Sequence, residues 1–363
     1  MRALTVNQRT ISDDSDAYVI AEIGHNHEGD LGKAEELVRQ AAAAGASAVK
    51  LQKRDNRSLF TREMYDSPYT GRNSFGPTYG AHREFLEFGT HEYTYLQQLS
   101  AELGVDFFST AFDFASVDFL AELDVPAIKI ASGDIRNTPL LAYAAKAGKP
   151  LIVSTGGADM EVVRRAVGTV LPLNPDLALL QCTAMYPAEP EALNLAVLGT
   201  YRAEFPDTVV GFSGHDLGPW AAWTAYALGA RVVEKHVTLD CTRPGSDHKF
   251  SMEQAALTEL VDGLGRVRRS LGGRDKAVQP GERPAMLKMG KKLVAQRDLP
   301  AGHRLSLEDV AIKSPGDGLT PDRLADVVGR HLSGPLAADA DITLDVLTDV
   351  GMAMDMDSDA GRD

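Results

Sequence analysis

Residues 209–238 read VVGFSGHDLGPWAAWTAYALGARVVEKHVT and contain two short apolar runs, whose polar ends carry His215 and His236. An Ala-rich stretch long enough to form a helix separates the two runs. Similar runs recur along the chain, at residues 18–23, 48–52, 105–110, 127–134, 151–156, 177–183, 209–215 and 232–238. This alternation predicts an eight-stranded (β/α)8 TIM barrel, in which catalytic groups lie at the C-terminal ends of the strands.

The predicted barrel does not account for the whole chain, which has 363 residues, whereas one such barrel needs about 250. We predict a barrel domain over residues 1–272, a linker over 273–292 and a compact β-rich module over 293–348. Residues 349–363 are acidic and rich in small side chains, and we expect them to be disordered. The last barrel helix is expected to use Ser251 as its N-cap.

The composition argues against several classes of partner. A net charge of −14 disfavours nucleic acid, because phosphate backbones require basic surfaces. No apolar run approaches the roughly 18 residues of a membrane span, so no membrane partner is expected. The N-terminus has no apolar signal region, which predicts a cytoplasmic location.

His215 and His236 end the last two predicted strands, which are neighbours in a closed barrel. Adjacent strands lie about 4.8 Å apart, so the two imidazoles can share one divalent cation. With water and substrate as the other ligands, Mn²⁺, Mg²⁺ or Fe²⁺ suits such a site better than a closed zinc site does. Two hydrogen-bonded polar residues at a barrel rim are the alternative.

Two lysines, Lys50 and Lys129, lie within predicted strands, where an unpaired ammonium group is unfavourable. They can hold a phosphate or carboxylate, or Lys129 can form a Schiff base as in a class I aldolase. The hydroxyls of Ser132, Ser154 and Ser213 end nearby strands and favour the first use, although each serine alone can be a helix cap.

Glu22 ends the first predicted strand, where a carboxylate can position water, act as a base or pair with Lys50. Gln52 and Thr110 end neighbouring strands as neutral hydrogen-bond partners. Asp247 lies in the polar loop after the last strand and can bind substrate hydroxyls, or it can make local turn bonds.

The segment over residues 53–91 is too long for a plain connection between a strand and its helix. It is rich in aromatic, charged and turn-forming residues. Long loops on this face of a barrel often cover the site, but a solvated excursion with its own packing cluster is an equal alternative.

The chain resembles the sialic acid synthases and related nonulosonate synthases over about residues 15–348. The C-terminal LVAQRDLPAGHRLSLEDVAIKSPGDG resembles the antifreeze-like (SAF) domain of that family. The matching barrel segments are AEIGHNHEGD, AVKLQ, FFSTAFD, IKIASGD, STGG, QCTAMYPAEP, GFSGH, EKHVTLD and RPGSDH.

The resemblance implies that phosphoenolpyruvate condenses with N-acetylmannosamine, a related amino sugar or its 6-phosphate to give a nine-carbon 2-keto acid and phosphate. By position, His215 and His236 match metal-binding histidines, with Mn²⁺ as the expected ion and Mg²⁺ or Co²⁺ as alternatives. Glu22 matches the catalytic glutamate, and Lys50 and Lys129 are expected to act with it. The residues expected to bind the substrates are Gln52, Thr110, Ser132, Asp134, Ser154, Tyr186, Ser213, Asp247 and Lys313.

The chain departs from well-known bacterial members at several positions. Asp134 stands where those members carry Glu, as in the animal-type enzymes. Ser314 stands at the position of an arginine that reaches the partner subunit's sugar, and Lys313 is the expected substitute. Ala184 replaces a polar residue near the phosphate. These departures affect the choice of sugar more than the type of reaction.

The resemblance also implies a domain-swapped homodimer, in which each antifreeze-like domain caps the barrel of the other subunit. The acceptor stays open between N-acetylmannosamine, its 6-phosphate and the diamino sugars that lead to legionaminic or pseudaminic acid. The aldolase reaction at Lys129 and a non-catalytic sugar-binding role are the competing interpretations.

Overall fold

A computed structural model describes residues 2–349, so the predicted disordered tail lies, from residue 350 onwards, outside the described residues. The chain divides into two compact units, of which the first ends at Gly272 and the second begins at Gly273. Within residues 2–349, no helix combines the length and apolar character needed to cross a membrane.

The first unit confirms the predicted barrel: eight parallel strands follow each other in chain order, and the last pairs with the first. A hairpin of β1 (Ala3–Val6) and β2 (Arg9–Ser12) precedes it. The barrel strands are β3 (Tyr18–Gly24), β4 (Ala48–Lys53), β5 (Asp106–Ala111), β6 (Ile128–Ile130), β7 (Leu151–Ser154), β8 (Leu177–Cys182), β9 (Val209–Gly214) and β10 (Val232–His236). Their residues are almost all buried, because helices cover the outside of the sheet and side chains fill its inside.

The helices of the first unit are α1 (Leu31–Ala43), α2 (Asn56–Leu59), α3 (Arg62–Asp66), α4 (Tyr79–Leu86), α5 (Thr90–Glu102), α6 (Phe114–Glu122), α7 (Thr138–Lys146), α8 (Met160–Val170), α9 (Val197–Glu204), α10 (Trp220–Ala227) and α11 (Gln254–Leu271). The expected N-cap of the last helix was wrong, since Glu253 and not Ser251 precedes α11. The Ser251 hydroxyl instead donates to the Asp247 carbonyl and accepts from the Asn26 side chain.

The long segment between β4 and α5 contains α2, α3 and α4. Its aromatic side chains pack on each other: the ring of Phe75 stacks on those of Phe85 and His82. The segment also contributes Arg54 and Arg83 to the wall of the barrel cavity. The segment therefore forms its own packing cluster and also lines the cavity, so each of the two interpretations describes part of it.

The second unit has its own apolar core, formed by Leu293, Ala295, Leu299, Leu305, Val327, Leu332, Ile342 and Leu347. Its elements are α12 (Arg283–Met289), β11 (Lys292–Ala295), β12 (Val310–Lys313), β13 (His331–Leu332) and β14 (Leu347–Thr348). The strands form two antiparallel pairs, β11 with β12 and β13 with β14. Helix α12 lies within the segment expected to be a linker.

Candidate active site

The C-terminal mouth of the barrel holds a cavity of about 590 Å³. Most of the predicted site residues line it: Glu22, Lys50, Gln52, Thr110, Lys129, Ser132, Ser154, Tyr186, Ser213, His215, His236 and Asp247. Asp134 is not among the lining residues, and its carboxylate accepts a hydrogen bond from Asn137. Lys313 belongs to the second unit, where it pairs with Asp339.

The parallel register explains why these side chains meet. Glu22 on β3 lies opposite Lys50 on β4 and His236 on β10, and Thr110 on β5 lies opposite Lys129 on β6. Because side chains at matched heights on adjacent strands point to the same side, polar residues at the strand ends converge inside the barrel.

A buried network of two lysines and two glutamates forms the floor of the cavity. Nζ of Lys50 lies 2.5 Å from Oε2 of Glu22 and donates to Oγ1 of Thr110 at 2.8 Å. Oε1 of Glu234 lies 3.7 Å from Nζ of Lys50 and 3.8 Å from Nζ of Lys129. The two positive and two negative charges balance, which makes their shared burial tolerable.

Glu234 was not among the predicted site residues, although the sequence carries a signal for it. The residue lies two positions before His236, and side chains two apart on a strand face the same side. A carboxylate in a buried strand beside a predicted metal ligand could therefore have been assigned to the cavity. Its hydrogen bond from the Ser213 hydroxyl, 3.2 Å long, links it to a residue that was predicted.

The two glutamates respond differently to burial. Burial raises the pKa of Glu22 above its ordinary value, although the Lys50 ammonium opposes the rise. Burial also acts on Glu234, but the charges of Lys129 and Lys50 outweigh it and bring its pKa to about 2. Glu234 is thus a fixed anion, whereas Glu22 is the carboxylate that is suited to exchange a proton.

The serine hydroxyls and Lys129 form one wall of the cavity. Nζ of Lys129 donates to the Ser154 hydroxyl at 2.7 Å, and the Ser132 hydroxyl accepts from the Gly156 amide at 2.9 Å. A Cβ atom at Gly156 would approach Oγ of Ser132 to 2.7 Å, so this position has no room for a side chain. Hydroxyl, ammonium and backbone donors together suit a phosphate group.

His215 and His236 lie side by side in the lining of the cavity. Nδ1 of His215 lies 3.0 Å from the Thr183 carbonyl, which can only accept, so Nδ1 carries the proton and Nε2 keeps its lone pair. Nδ1 of His236 is buried without a hydrogen-bond partner, and it lies 3.9 Å from Oδ2 of Asp247. The two ring centroids are 5.4 Å apart.

Both imidazoles are neutral near pH 7. Burial, followed by the neighbouring His236, lowers the pKa of His215 to about 4, and burial lowers the pKa of His236. Residues 2–349 contain no cluster of three or more His, Cys, Asp and Glu side chains arranged to hold a metal. Two neutral imidazoles with an unpartnered nitrogen nevertheless fit a divalent cation whose other ligands are water and substrate oxygens.

The cavity lining also includes two arginines, Arg54 and Arg83, that were not among the predicted site residues. Nη2 of Arg54 donates to Oε1 of Gln52 at 2.7 Å, and Nη1 lies 3.0 Å from Nε2 of His25. Nη1 of Arg83 lies 3.2 Å from Nδ1 of the same imidazole. The Arg54 guanidinium stacks on the Phe112 ring, 3.7 Å from its centroid. These residues lie in loops and a short helix, where no periodic sequence pattern predicts their position.

A closed β/α barrel with paired lysines and glutamates at its C-terminal mouth defines an enzyme that binds a small anionic substrate inside the barrel. The chain belongs to the NeuB family, whose profile matches residues 37–276. The profile of the SAF domain matches residues 292–347 in the second unit. The family resemblance drawn from the sequence is thereby confirmed.

Named relatives agree with this assignment. The chain is 40% identical over 316 residues to N-acetylneuraminate-9-phosphate synthase of Mus musculus, which covers 87% of this chain and 88% of the relative. It is 37% identical to N,N'-diacetyllegionaminic acid synthase of Legionella pneumophila, over 88% of this chain and 92% of the relative. The N-acetylneuraminic acid (sialic acid) synthetase of Leptospira borgpetersenii, solved with citrate, is 31% identical with a TM-score of 0.69, over 78% of this chain and 95% of that one.

Proposed function

We propose that this enzyme is a nonulosonate synthase, which condenses phosphoenolpyruvate with the aldehyde of an amino sugar and water. The products are a nine-carbon 2-keto acid and inorganic phosphate. One observation carries the proposal: a single cavity joins the Lys50, Lys129, Glu22 and Glu234 network to the His215 and His236 pair. The names of the relatives, which are synthases of sialic and legionaminic acids, support the same reaction.

The two lysines have distinct neighbours, which suggests distinct tasks toward phosphoenolpyruvate. Lys129 lies beside Ser154, on the wall that also holds Ser132, and this wall would bind the phosphate. Lys50 lies beside Thr110, and this pair would bind the carboxylate. Holding both ends of the small substrate leaves its enol carbon free to face the aldehyde, which is a contribution of orientation.

Atoms and charges balance around C2 of phosphoenolpyruvate. Its C3 bonds to the aldehyde carbon, the aldehyde oxygen takes a proton from solvent, and C2 becomes electron-poor. Glu22 then accepts a proton from the water that adds to C2, as its raised pKa allows. The bond between C2 and the bridging oxygen then breaks. That oxygen leaves with phosphate, which takes the proton of the C2 hydroxyl as the carbonyl forms, and Glu22 returns its proton to solvent.

His215 and His236 would hold a divalent cation, with Mn²⁺ as the first choice and Mg²⁺ or Co²⁺ as alternatives. When bound, such an ion supplies Lewis-acid polarisation of the acceptor aldehyde. The potential ligand atoms of this chain support the presence of such an ion. The two imidazoles are neutral, and Nδ1 of His236 has no hydrogen-bond partner and lies near the Asp247 carboxylate. Asp247 and Tyr186 also line the cavity and would contact the sugar.

The test is phosphate release from phosphoenolpyruvate with Mn²⁺, against a panel of amino sugars and with a chelated control. Phosphoenolpyruvate carrying ¹⁸O in its C2–O bond should deliver the label to phosphate, because that bond to carbon breaks. Lys129→Gln should stop turnover, whereas Lys146→Gln, at an exposed lysine on α7, should not. No release with any acceptor, or ¹⁸O retained in the keto acid, would contradict the proposal.

A Schiff-base aldolase is the second candidate, and one observation favours it: burial lowers the pKa of Lys129, as a nucleophilic amine requires. Borohydride trapping distinguishes the aldolase reaction from the synthase reaction. Borohydride reduction in the presence of pyruvate should attach the keto acid to Lys129 in an aldolase, and it should leave the synthase unmodified. Mass spectrometry of the Lys129 peptide decides between them.

We also propose a homodimer with exchanged C-terminal domains in the cytoplasm. Apolar side chains in the second unit are exposed over a short stretch, namely Val278, Met286, Leu287 and Met289, and a partner subunit would cover them. Lys313 would then contact the partner's sugar. Both cysteines, Cys182 and Cys241, are free thiols, which suits a reducing compartment. Light scattering of the intact protein measures the mass of the assembly.

A further inference from the structure

Two arginines in the cavity wall have no carboxylate partner within the described part of the chain. Arg54 and Arg83 appear in no ion pair there, whereas Lys50 is paired with glutamate. The Arg54 side chain is buried, with 8% of its surface exposed. A buried cation without an anion is unfavourable, because the charge loses its hydration and gains no counter-charge.

The imidazole between the two arginines cannot satisfy both of them. Nε2 of His25 faces Arg54 and Nδ1 faces Arg83, and both guanidinium groups can only donate. Burial, followed by the charges of Arg54 and Arg83, lowers the pKa of His25 well below its ordinary value, so the ring is neutral. A neutral imidazole accepts through one nitrogen only, so at least one guanidinium N–H group faces another donor. The wall is therefore short of acceptors, and the carboxylates nearest to Arg54, those of Glu87 and Glu22, make no direct ion pair with it.

This wall is separate from the predicted phosphate wall. Arg54 follows β4, His25 follows β3 and Arg83 lies on α4, whereas Lys129 and Ser154 lie on β6 and β7. In the closed barrel β6 and β7 are two and three strands away from β4. The contacts Arg54 to Gln52 and Gln52 to Glu22 connect the arginine wall to the catalytic floor.

We propose that Arg54 and Arg83 form a subsite for a phosphate group carried by the acceptor sugar. The inference rests on the proposed synthase function and names its acceptor class: an amino sugar that is itself phosphorylated. A phosphate monoester matches two guanidinium groups in charge, and each guanidinium presents the planar donor fork that phosphate oxygens accept. Amino-sugar aldehydes of this size carry no other dianionic group.

The experiment compares N-acetylmannosamine with its 6-phosphate as acceptor, at saturating phosphoenolpyruvate, by following keto acid formation. Wild type should prefer the phosphorylated sugar. Arg83→Gln should lower kcat/KM for that sugar about 10- to 100-fold, mainly through KM, since charge-assisted hydrogen bonds are lost. The same variant should change kcat/KM for the unphosphorylated sugar by less than about 3-fold, and Arg83→Lys should restore part of the loss.

Arg57→Gln is the matched control, because Arg57 is an exposed arginine on the same segment that contacts the ring of Tyr65 outside the cavity. Circular dichroism checks that each variant is folded, and Arg54→Lys provides a second, independent change at the subsite. Equal losses with both sugars, a raised KM for phosphoenolpyruvate, or a wild-type preference for the unphosphorylated sugar would overturn the inference while leaving the synthase function standing. Absence of turnover with every acceptor would instead contradict the synthase function and this inference with it.

Discussion

Nζ of Lys50 lies 2.5 Å from Oε2 of Glu22 inside the barrel, where each side chain exposes 2% or less of its surface. This contact joins the residue expected to hold the substrate carboxylate to the residue expected to accept a proton. Oε1 of Glu234 lies 3.7 Å from the same ammonium group, so Lys50 keeps a counter-charge when Glu22 is protonated or replaced by a neutral residue. A substitution at Glu22 can therefore remove the catalytic carboxylate without leaving the Lys50 ammonium buried and unpaired.

Glu22→Gln should lower kcat by about 100-fold or more, because it removes the general base while keeping the size of the side chain. The variant should stay folded, since Glu234 still neutralises Lys50. Steady-state kinetics and thermal unfolding measure the two effects. Glu36→Gln, at an exposed glutamate on α1, is the control and should leave both unchanged. A variant at Glu22 that turns over at the wild-type rate would remove this residue from the mechanism.

The pH dependence of kcat/KM should report the raised pKa of Glu22. The carboxylate must be ionised to accept a proton, so activity should fall as the pH drops through a value above 4.5, the ordinary pKa of glutamate. His215 titrates lower, since its pKa is about 4. A profile measured from pH 4.5 to 8 should therefore show an acid limb before His215 protonates. Activity that stays constant down to pH 4.5 would contradict this assignment.

The sequence predicted the strands well because each is a short apolar run bounded by turn residues, and the same runs carry Lys50, Lys129 and both histidines. It did not predict the arginine wall, because Arg54 and Arg83 lie in the long segment between β4 and α5, and only the fold of that segment brings them to the cavity. The N-cap at Ser251 was wrong for a related reason: the serine hydroxyl is taken by the Asp247 carbonyl, a contact that only the folded loop creates. Periodicity locates the helices and strands, whereas the contacts of the residues between them depend on the conformation of the folded loops.

His236→Ala should abolish Mn²⁺ binding and turnover together while the barrel stays folded. The imidazole has no hydrogen-bond partner at Nδ1, so its removal leaves no orphaned donor behind. The signal of free Mn²⁺ in electron paramagnetic resonance measures binding without reference to activity. His91→Ala, at a histidine whose side chain is 82% exposed, is the control. Wild-type Mn²⁺ affinity in the His236 variant would show that the ion binds elsewhere.

Asp309→Ala should destabilise the second unit. The buried carboxylate accepts from Arg297, His303 and Ser306, and a lost network of this kind lowers the free energy of unfolding by about 1–3 kcal/mol. The hydrogen bond from His303, with help from Arg297 and Ser306 against burial, lowers the pKa of Asp309.

Because this pKa is depressed in the folded protein, the Asp309 contribution is present above pH 3.8, the ordinary value for aspartate, and is lost as the pH falls below it. Calorimetry of the intact chain at pH 7 and pH 3 measures the difference between wild type and variant, which should shrink at the lower pH. The neighbouring Glu308→Ala, at an exposed residue, should have little effect at either pH.

Gly156→Ala should weaken the binding of phosphoenolpyruvate, because the new methyl group would lie 2.7 Å from Oγ of Ser132 and 3.1 Å from Cβ of Ala184. The Ser132 hydroxyl would have to rotate away and the segment beside Ala184 would have to shift, so the hydrogen bond between the Gly156 amide and Ser132 must change. We expect KM for phosphoenolpyruvate to rise about 10-fold, since one hydrogen bond in the phosphate wall is worth roughly 1–2 kcal/mol.

Gly168→Ala is the matched control. This exposed glycine in α8 has no neighbour within 4 Å of an added Cβ, and alanine there should stabilise the helix by about 1 kcal/mol without changing KM. An unchanged KM in the Gly156 variant would mean that phosphate binds away from the Ser132 wall, and the tasks assigned to Lys50 and Lys129 would have to be exchanged.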